Sequence, residues 1–433
     1  MTFSPQSERP SRKELGRVLF EMKAMSSDWA PTFAAVDRAA FLPDLIWPWD
    51  METGTSVAVD RTADPHGWYA AVDSDQPIVT QWDDGEHSGT APGRVSTSSS
   101  SAPSVNYGLF QDLGVDEGMN VLDVATGTGE TAGALYHRCV GSRGRGRGRV
   151  TTIEIDRTVS MRARECLHAA GLYPDVVVGD GFEGYAGHGP YDRILATVGL
   201  RESPGAWLSQ IRKGGIIVAP WGTHYSNADA VVRLRANGGI ALGHFTRPVE
   251  FMKIRAQRSP RRPHAEYVPA GTFGSADTSA TAVTESEFLT GRYTALPFAL
   301  GLRVPHCVQA VADARDGARP VWFYGLGDRS WACVMFREGE ETRVWQSGPR
   351  RLWDDVEAAF RWWRKQGRPT HDRFGLTVTP DGQEAWLDTP GGSWPVGSAS
   401  RRSAGAPPAA RRPTSGTGPW TAPSAPRRRP SGP

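Results

Sequence analysis

The residues of this chain whose type and spacing point most directly to chemistry are a pair of glycines and two acids, each standing at the end of an apolar run. Residues 121–129 read VLDVATGTG: Val121, Leu122 and Val124 carry one acid, Asp123, and the run breaks into Gly127-Thr128-Gly129. A strand that feeds such a turn brings main chain close to a cofactor where a side chain would collide. Glu130 to Tyr136 then opens a helix. A second run, Val150–Ile153, ends at Glu154-Ile155-Asp156; a third, Val176–Val178, ends at Gly179-Asp180-Gly181; a fourth covers Tyr191–Leu195. Glu154 stands where a carboxylate accepts hydrogen bonds from both hydroxyls of a ribose. Asp180 stands where one accepts from the exocyclic amine of adenine, and Gly181 leaves room for the flat ring. A glycine turn alone is weak evidence, but a turn with an acid after each of the next two strands describes a nucleoside site. A dinucleotide turn reads G-x-G-x-x-G. Here the third glycine is displaced to Gly133, which favours S-adenosylmethionine over NAD. No metal is expected.

These residues need a scaffold, and the pattern supplies one. Residues 106–255 alternate short apolar strands with amphipathic stretches, which predicts an α/β, Rossmann-like parallel sheet covered by helices, after a helix over about 104–114. Upstream, 14–47 reads as helix, then loop, and 51–105 is polar and rich in turn formers. Residues 256–288, with a Pro/Arg cluster at 258–263, read as a linker. Residues 289–394 read as a smaller α+β unit: strands at 321–324, 330–336 and 342–345, a helix over Leu352–Lys365, and a hairpin of 376–379 and 384–387 around Pro380-Asp-Gly-Gln383. The expected division is therefore a first domain over 1–255 with its core at 101–255, a linker over 256–288, an accessory domain over 289–394 and a disordered tail over 395–433. On that division 1–255 should fold by itself. The seven tryptophans Trp322, Trp331, Trp345, Trp353, Trp362, Trp363 and Trp386 read as core, with some exposed peptide anchors as the alternative.

Composition narrows the function classes. The net charge of +2 includes seven arginines in 395–433, where no acid occurs; without those seven the body carries −5. A mildly acidic body is not a nucleic-acid-binding surface. The Arg/Gly repeat of 141–149 reads as a surface insertion. No run of 18 apolar residues exists, so no membrane helix is expected, and the polar N-terminus lacks a signal-peptide core. Cys139, Cys166, Cys307 and Cys333 are scattered, which fits a reduced, cytoplasmic setting without disulfides or zinc.

The runs VLDVATGTGETAGAL, VTTIEID, VVVGDGFEGYAGHGPYDRILATVGL and AWLSQIRKGGIIVAPWGT resemble those of protein-L-isoaspartate O-methyltransferases, over about residues 29–255. Phe33–Pro43 is similar to that family's N-terminal segment, and Ser101-Ala102-Pro103 to its Thr-Ile-Ser-Ala/Gln-Pro motif, with Ser99 and Ser100 in place of Thr and Ile. The resemblance implies S-adenosylmethionine as methyl donor. It implies Asp123, Gly127, Thr128, Gly129, Glu154, Ile155, Asp180, Gly181 and Thr197 as its binding residues. It also implies Ser101 as the catalytic serine where donor and carboxylate meet; a helix N-cap is the other role a serine there can fill. The implied partner is a peptide or protein bearing Asp or isoAsp, methylated on its carboxylate. The ester then closes to a succinimide that opens to aspartate or isoaspartate. Two departures stand out: the added segments 51–95 and 289–394, and Val249-Glu-Phe-Met-Lys-Ile-Arg255 where the family has a Val-Pro-Leu substrate lid. The layout resembles methyltransferases beside ribosomal-peptide maturation systems of actinobacteria, which implies a dedicated precursor peptide. General isoaspartate repair, and a peptide-recognition module that binds the cofactor without turnover, are the alternatives.

Overall fold

The computed structural model describes residues 9–141, 146–258, 262–291 and 293–397. Part of the 141–149 insertion and the tail from 398 onward lie outside the described residues. Helices α1 (Pro10–Glu21) and α2 (Ala30–Ala35) precede a small antiparallel sheet of β1 (Leu45–Asp50), β2 (Thr55–Ser56), β3 (Val59–Asp60), β4 (Ile78–Trp82) and β5 (Ser96–Ser100), with α3 (Pro65–Val72) between β3 and β4. Helix α4 (Pro103–Leu113) then leads into the expected alternation. This runs β6 (Asn120–Val124), α5 (Glu130–Val140), β7 (Arg149–Glu154), α6 (Arg157–Ala169), β8 (Asp175–Val178), β9 (Tyr191–Ala196), α7 (Gly205–Gln210), β10 (Ile211–Trp221), β11 (Asp229–Ala236) and β12 (Ala241–Val249).

Local chemistry sets the boundaries of these elements. Proline opens α1, α2, α3 and α4, where its missing N–H costs no hydrogen bond. Gly114, at φ 61°, closes α4 in the left-handed conformation. Asp156 caps α6 by accepting from the N–H groups of Thr158 and Val159.

The remaining elements are α8 (His264–Tyr267), β13 (Asp277–Thr281), α9 (Glu285–Phe288), α10 (Ala295–Arg303), β14 (Cys307–Val311), β15 (Ala318–Gly325), β16 (Trp331–Arg337), β17 (Thr342–Ser347), α11 (Leu352–Lys365), β18 (Phe374–Thr379), β19 (Gly382–Leu387) and β20 (Trp394–Val396). Strands β13 to β17 form a separate antiparallel sheet in the order β13-β17-β16-β15-β14. The main sheet has ten strands in the order β20-β19-β18-β12-β11-β10-β9-β6-β7-β8. Strands β6 to β10 pair in parallel; the rest are antiparallel. The order in which strands are added reverses at the β6/β9 boundary, with β7 and β8 on one side and β9 and β10 on the other. In an open parallel sheet that switch point is where a crevice forms beyond the strand ends.

The expected division at 255, 289 and 394 does not follow the contacts. β18 pairs with β12 through Ala241↔Val378 to His244↔Gly375, so the end of the accessory region extends the first domain's own sheet. Helix α10 lies under that junction: Phe298 meets Phe245 at 4.8 Å and Phe374 at 6.0 Å. One buried cluster runs from Leu122 to Val396. The predicted linker is also structured. β13 lies within it, and 264–273 covers the outer face of the second sheet, His264 against Trp322 at 4.5 Å and Phe273 stacked on Trp331 at 5.7 Å. The polar composition of that segment hid four aromatic or aliphatic anchors, His264, Tyr267, Val268 and Phe273, that need only short stretches of chain to cover a sheet face. The tryptophans divide: Trp331, Trp353, Trp363 and Trp386 are buried, and Trp322, Trp345 and Trp362 half-buried. Trp386 lies across Gly375 on the partner strand, where a Cβ would sit 2.1 Å from its ring.

A chain ending at 255 would expose the β12 edge and half of a continuous core. Such a protein is expected to lose its cooperative thermal transition, and a two-state melt like that of the full chain would refute this account of the core.

Candidate active site

The crevice beyond β6, β7 and β9 is an open cleft that spans about 860 Å³, solvent included. Its floor is the glycine turn. Gly127, at φ 53°, takes a conformation that penalises other residues, and its N–H donates to Glu154 Oε2 at 3.0 Å. Glu154 Oε1 accepts from the Asp156 N–H at 3.0 Å. Burial raises the Glu154 carboxyl above its ordinary value, against these two bonds. The Asp180 carboxylate accepts from the Phe182 N–H at 2.9 Å and has no other partner among the described residues. Trp207 on α7 pins this loop by donating to the Gly181 carbonyl at 3.0 Å. Thr197 reaches the Ala125 carbonyl at 3.1 Å.

Of the ten site residues expected from sequence, Ser101, Gly127, Thr128, Glu154, Ile155, Asp180, Gly181 and Thr197 come together on the lining. Asp123 and Gly129 do not. Asp123 is fully buried within the sheet, where it accepts from Thr152 on β7 at 2.7 Å, and its other oxygen has no partner. That burial pushes its carboxyl up to about 7. Gly129 faces away from the crevice, where a Cβ would lie 3.2 Å from Ala163 on α6. Its φ of 92° lies in the left-handed region that favours glycine, and the close approach of α6 adds a second demand for it. Gly181 lines the crevice, yet a Cβ there would meet Val124 at 2.6 Å, so β6 also demands the small residue. Ser101 is not a helix cap: Ala102 occupies the cap position, and the Ser104 N–H is satisfied by Asp75 at 2.8 Å.

Sequence reasoning missed the residue that holds the serine strand. Arg38 is almost fully buried. It donates to Ser100 Oγ at 2.8 Å and to the carbonyls of Gln76 and Ser101, both at 3.0 Å, with weaker bonds to those of Val72, Ser74 and Ser100. Ser100 Oγ in turn donates to Glu130 Oε2 at 2.7 Å, and Arg38 lies 3.7 Å from that carboxylate. Glu130 is the first residue of α5 and lines the crevice. Asn106 on α4 also lines it and keeps a buried carbonyl oxygen without a donor. Arg38 sits inside the Phe33–Pro43 segment, but sequence gives no sign that its charge is buried.

The opposite wall is the segment after β12. The Gly199 N–H donates to the Met252 carbonyl at 2.7 Å, and the Ile254 N–H to the Gly199 carbonyl at 3.0 Å. This turns Lys253, Ile254, Arg255 and Arg258 onto the lining. Lys253 pairs with buried Asp229, and burial works against both charges. Arg255 and Arg258 grip Asp84 of the added 51–95 segment at 2.8 and 2.9 Å. Of these cations Arg258 falls at the edge of the 258–263 Pro/Arg cluster, which polar composition had assigned to a linker.

Comparison with known proteins follows the same outline. The family model described as protein-L-isoaspartate(D-aspartate) O-methyltransferase matches residues 80–258. A protein-L-isoaspartate O-methyltransferase of Methanococcus maripaludis is 38% identical over 134 residues, 31% of this chain and 60% of that protein. Protein-L-isoaspartate O-methyltransferase 2 of a Polaromonas species is 32% identical over 153 residues, 35% of this chain and 68% of that protein. A solved protein-L-isoaspartate O-methyltransferase superposes with a TM-score of 0.48 at 20% identity, over 87% of this chain and all of the other. The chain spans 51 to 60% of the length of the first curated relatives it matches.

Two variants test this site. Arg38→Met strands the Glu130 carboxylate and several buried carbonyls, and is expected to cost about 3–5 kcal/mol of stability, read from a urea melt. A loss below 1 kcal/mol, roughly that of an exposed pair, would mean Arg38 is not the tie described here. Asp123 titrates at about 7 in the folded chain against 3.8 ordinarily. Its contribution therefore favours folding at acidic pH and is lost as pH rises through that interval. Asp123→Asn should flatten the decline in stability between about pH 4 and 7, and an unchanged slope would contradict the assignment.

Proposed function

The chain belongs to the protein-L-isoaspartate O-methyltransferase family, and we propose that it catalyses S-adenosylmethionine-dependent O-methylation of an Asp or isoAsp carboxylate in a peptide or protein. The observation that carries this reading is the convergence, in one crevice, of two strand-end acids with the Ser98–Ser101 strand opposite them.

The lining suits this cofactor better than a dinucleotide. A pyrophosphate seeks the positive end of a helix behind a glycine turn, and here Glu130, a buried carboxylate, occupies the first position of α5. Glu154 would hold the ribose hydroxyls. The oxygen of Asp180 without a partner would take the adenine amine, with Ile155 and Ile254 beside the ring. Gly127 and Thr128 would border the donor's amino-acid end. When bound, S-adenosylmethionine supplies an electrophilic methyl group to a carboxylate oxygen.

The protein's own task is then positional. A substrate carboxylate is ionised at pH 7 and needs no general base. Ser101 and Asn106 offer hydrogen-bond donors to orient it. The 252–258 segment narrows access to water. An ester formed next to a backbone amide loses methanol when that amide nitrogen attacks it, giving a succinimide that water opens to aspartate or isoaspartate.

The preferred substrate on this reading is a ribosomally made precursor peptide. Support comes from the rim, which Gln383, a residue outside the matched 80–258, helps to shape. Asp84 holds Arg255 and Arg258. Gln383 on β19 accepts from the Ser203 N–H at 3.1 Å and donates to the Arg201 carbonyl at 2.8 Å, while Gln257 beside the rim accepts from the Arg201 N–H at 2.7 Å.

Glu154→Ala is expected to weaken S-adenosylmethionine binding by about 1.5–3 kcal/mol in calorimetric titration; equal affinity would remove the ribose assignment. Methylation of generic isoaspartyl peptides as efficiently as of a precursor would favour general repair. Absence of S-adenosylhomocysteine with every peptide tried, despite cofactor binding, would favour a recognition module.

A further inference from the structure

Resting on the assignment of Asp180 to the adenine and Glu154 to the ribose, we propose that Glu130 is the residue that binds the α-ammonium group of the methyl donor. Among the described residues three acids line the crevice, Glu130, Glu154 and Asp180. Asp123, which the sequence also placed among the donor's contacts, is fully buried in the sheet and does not reach the lining. The cationic end of the donor's amino-acid part is therefore left to Glu130.

The order of the three acids follows the order of the sheet. Asp180 stands after β8, Glu154 ends β7, and Glu130 opens α5, the helix entered from β6; these three strands are successive neighbours. The donor is built of parts in the same succession: adenine, ribose, sulfonium and amino acid. With its first two parts on Asp180 and Glu154, its amino-acid end falls to the glycine turn and the start of α5. The serine strand meets the turn there. The Ser99 carbonyl lies 3.5 Å from the place of a Cβ on Gly127, and Ser100 Oγ donates to Glu130 Oε2 at 2.7 Å.

The charge of Glu130 is only partly compensated within the protein. Every hydrogen bond of Arg38 goes to the Ser100 hydroxyl or to a main-chain carbonyl, and its guanidinium stands 3.7 Å from the carboxylate. Glu130 Oε2 accepts from Ser100 alone, and Oε1 has no partner among the described residues. The side chain keeps 17% of its surface exposed, on the crevice. Burial raises its carboxyl above the ordinary value although Arg38 pulls the other way. A carboxylate in such surroundings is stabilised most by a cation that brings its own N–H groups. A second carboxylate would be repelled, so the substrate's reacting group is not the occupant that fits here.

The test is calorimetric titration of the full-length protein with S-adenosylhomocysteine and with its deaminated analogue, in which hydrogen replaces the ammonium. No methyl acceptor is needed, so the result stands apart from the identity of the substrate. The unaltered protein is expected to bind S-adenosylhomocysteine about tenfold to a hundredfold more tightly than the analogue. In Glu130→Gln, which keeps an acceptor for Ser100, that gap should fall below about threefold, with the affinity for the analogue unchanged. Methylthioadenosine, which lacks the whole amino-acid end, should bind both proteins equally. A gap that the variant keeps in full overturns the proposal and leaves Glu130 as the partner of Ser100 only. Equal affinities of the unaltered protein for S-adenosylhomocysteine and its analogue overturn it as well. If Glu130→Gln no longer binds methylthioadenosine, the crevice has collapsed, and Glu130→Asp, which keeps the charge but withdraws it, is read by the same gap. Failure of the unaltered protein to bind any of the three compounds would remove the donor reading and this proposal with it.

Discussion

A guanidinium that loses its water must find a partner for nearly every N–H, and Arg38 does so with groups from three parts of the chain. It takes carbonyls from the stretch that leads into β4, the hydroxyl and carbonyl of Ser100 at the end of β5, and the carbonyl of Ser101. Through Ser100 it also compensates Glu130 at the start of α5. The placement of the serine strand against the glycine turn follows from this one buried charge. The small N-terminal sheet and the large sheet share a crevice because Arg38 stands at their junction.

The second constraint is the edge of β12. A parallel sheet with an antiparallel extension ends in a strand whose main-chain groups need partners, and this chain returns more than a hundred residues later to supply them with β18. That return has consequences for the site. Gln383, on the strand after β18, fixes the loop at Arg201–Ser203, and that loop meets Gln257 beside the rim. The rim is therefore set from two directions, by Asp84 of the N-terminal sheet and by the C-terminal strands. Of the two contacts, that of Gln383 comes from outside the residues 80–258 that the family model matches.

Charge is also divided within the crevice. One half carries Glu130, Glu154 and Asp180, and the facing wall carries Lys253, Arg255 and Arg258, each tied to an acid, Lys253 to Asp229 and the two arginines to Asp84. On the proposed reading a cofactor carrying a sulfonium would meet the acidic half.

The sequence by itself determined what depends on near neighbours. Apolar runs and turn formers located β6 to β9, α11 and the hairpin of 376–379 and 384–387. Strand-end acids could be identified because the end of a parallel strand fixes where its next residues point, and so Glu154, Ile155, Asp180 and Gly181 come together on the lining. What only the tertiary structure decided depends on partners distant in sequence. Asp123 reads like its neighbours in the motif, yet pleating and the pairing with Thr152 bury it away from the crevice. The 256–288 segment reads as a linker because its few anchors, His264, Tyr267 and Phe273, are spaced too widely to show a period, though a sheet face needs no more to be covered. The pairing of β12 with β18 and the burial of Arg38 leave no local signature. In each case the energy comes from a surface or charge that another part of the chain must first bring into place.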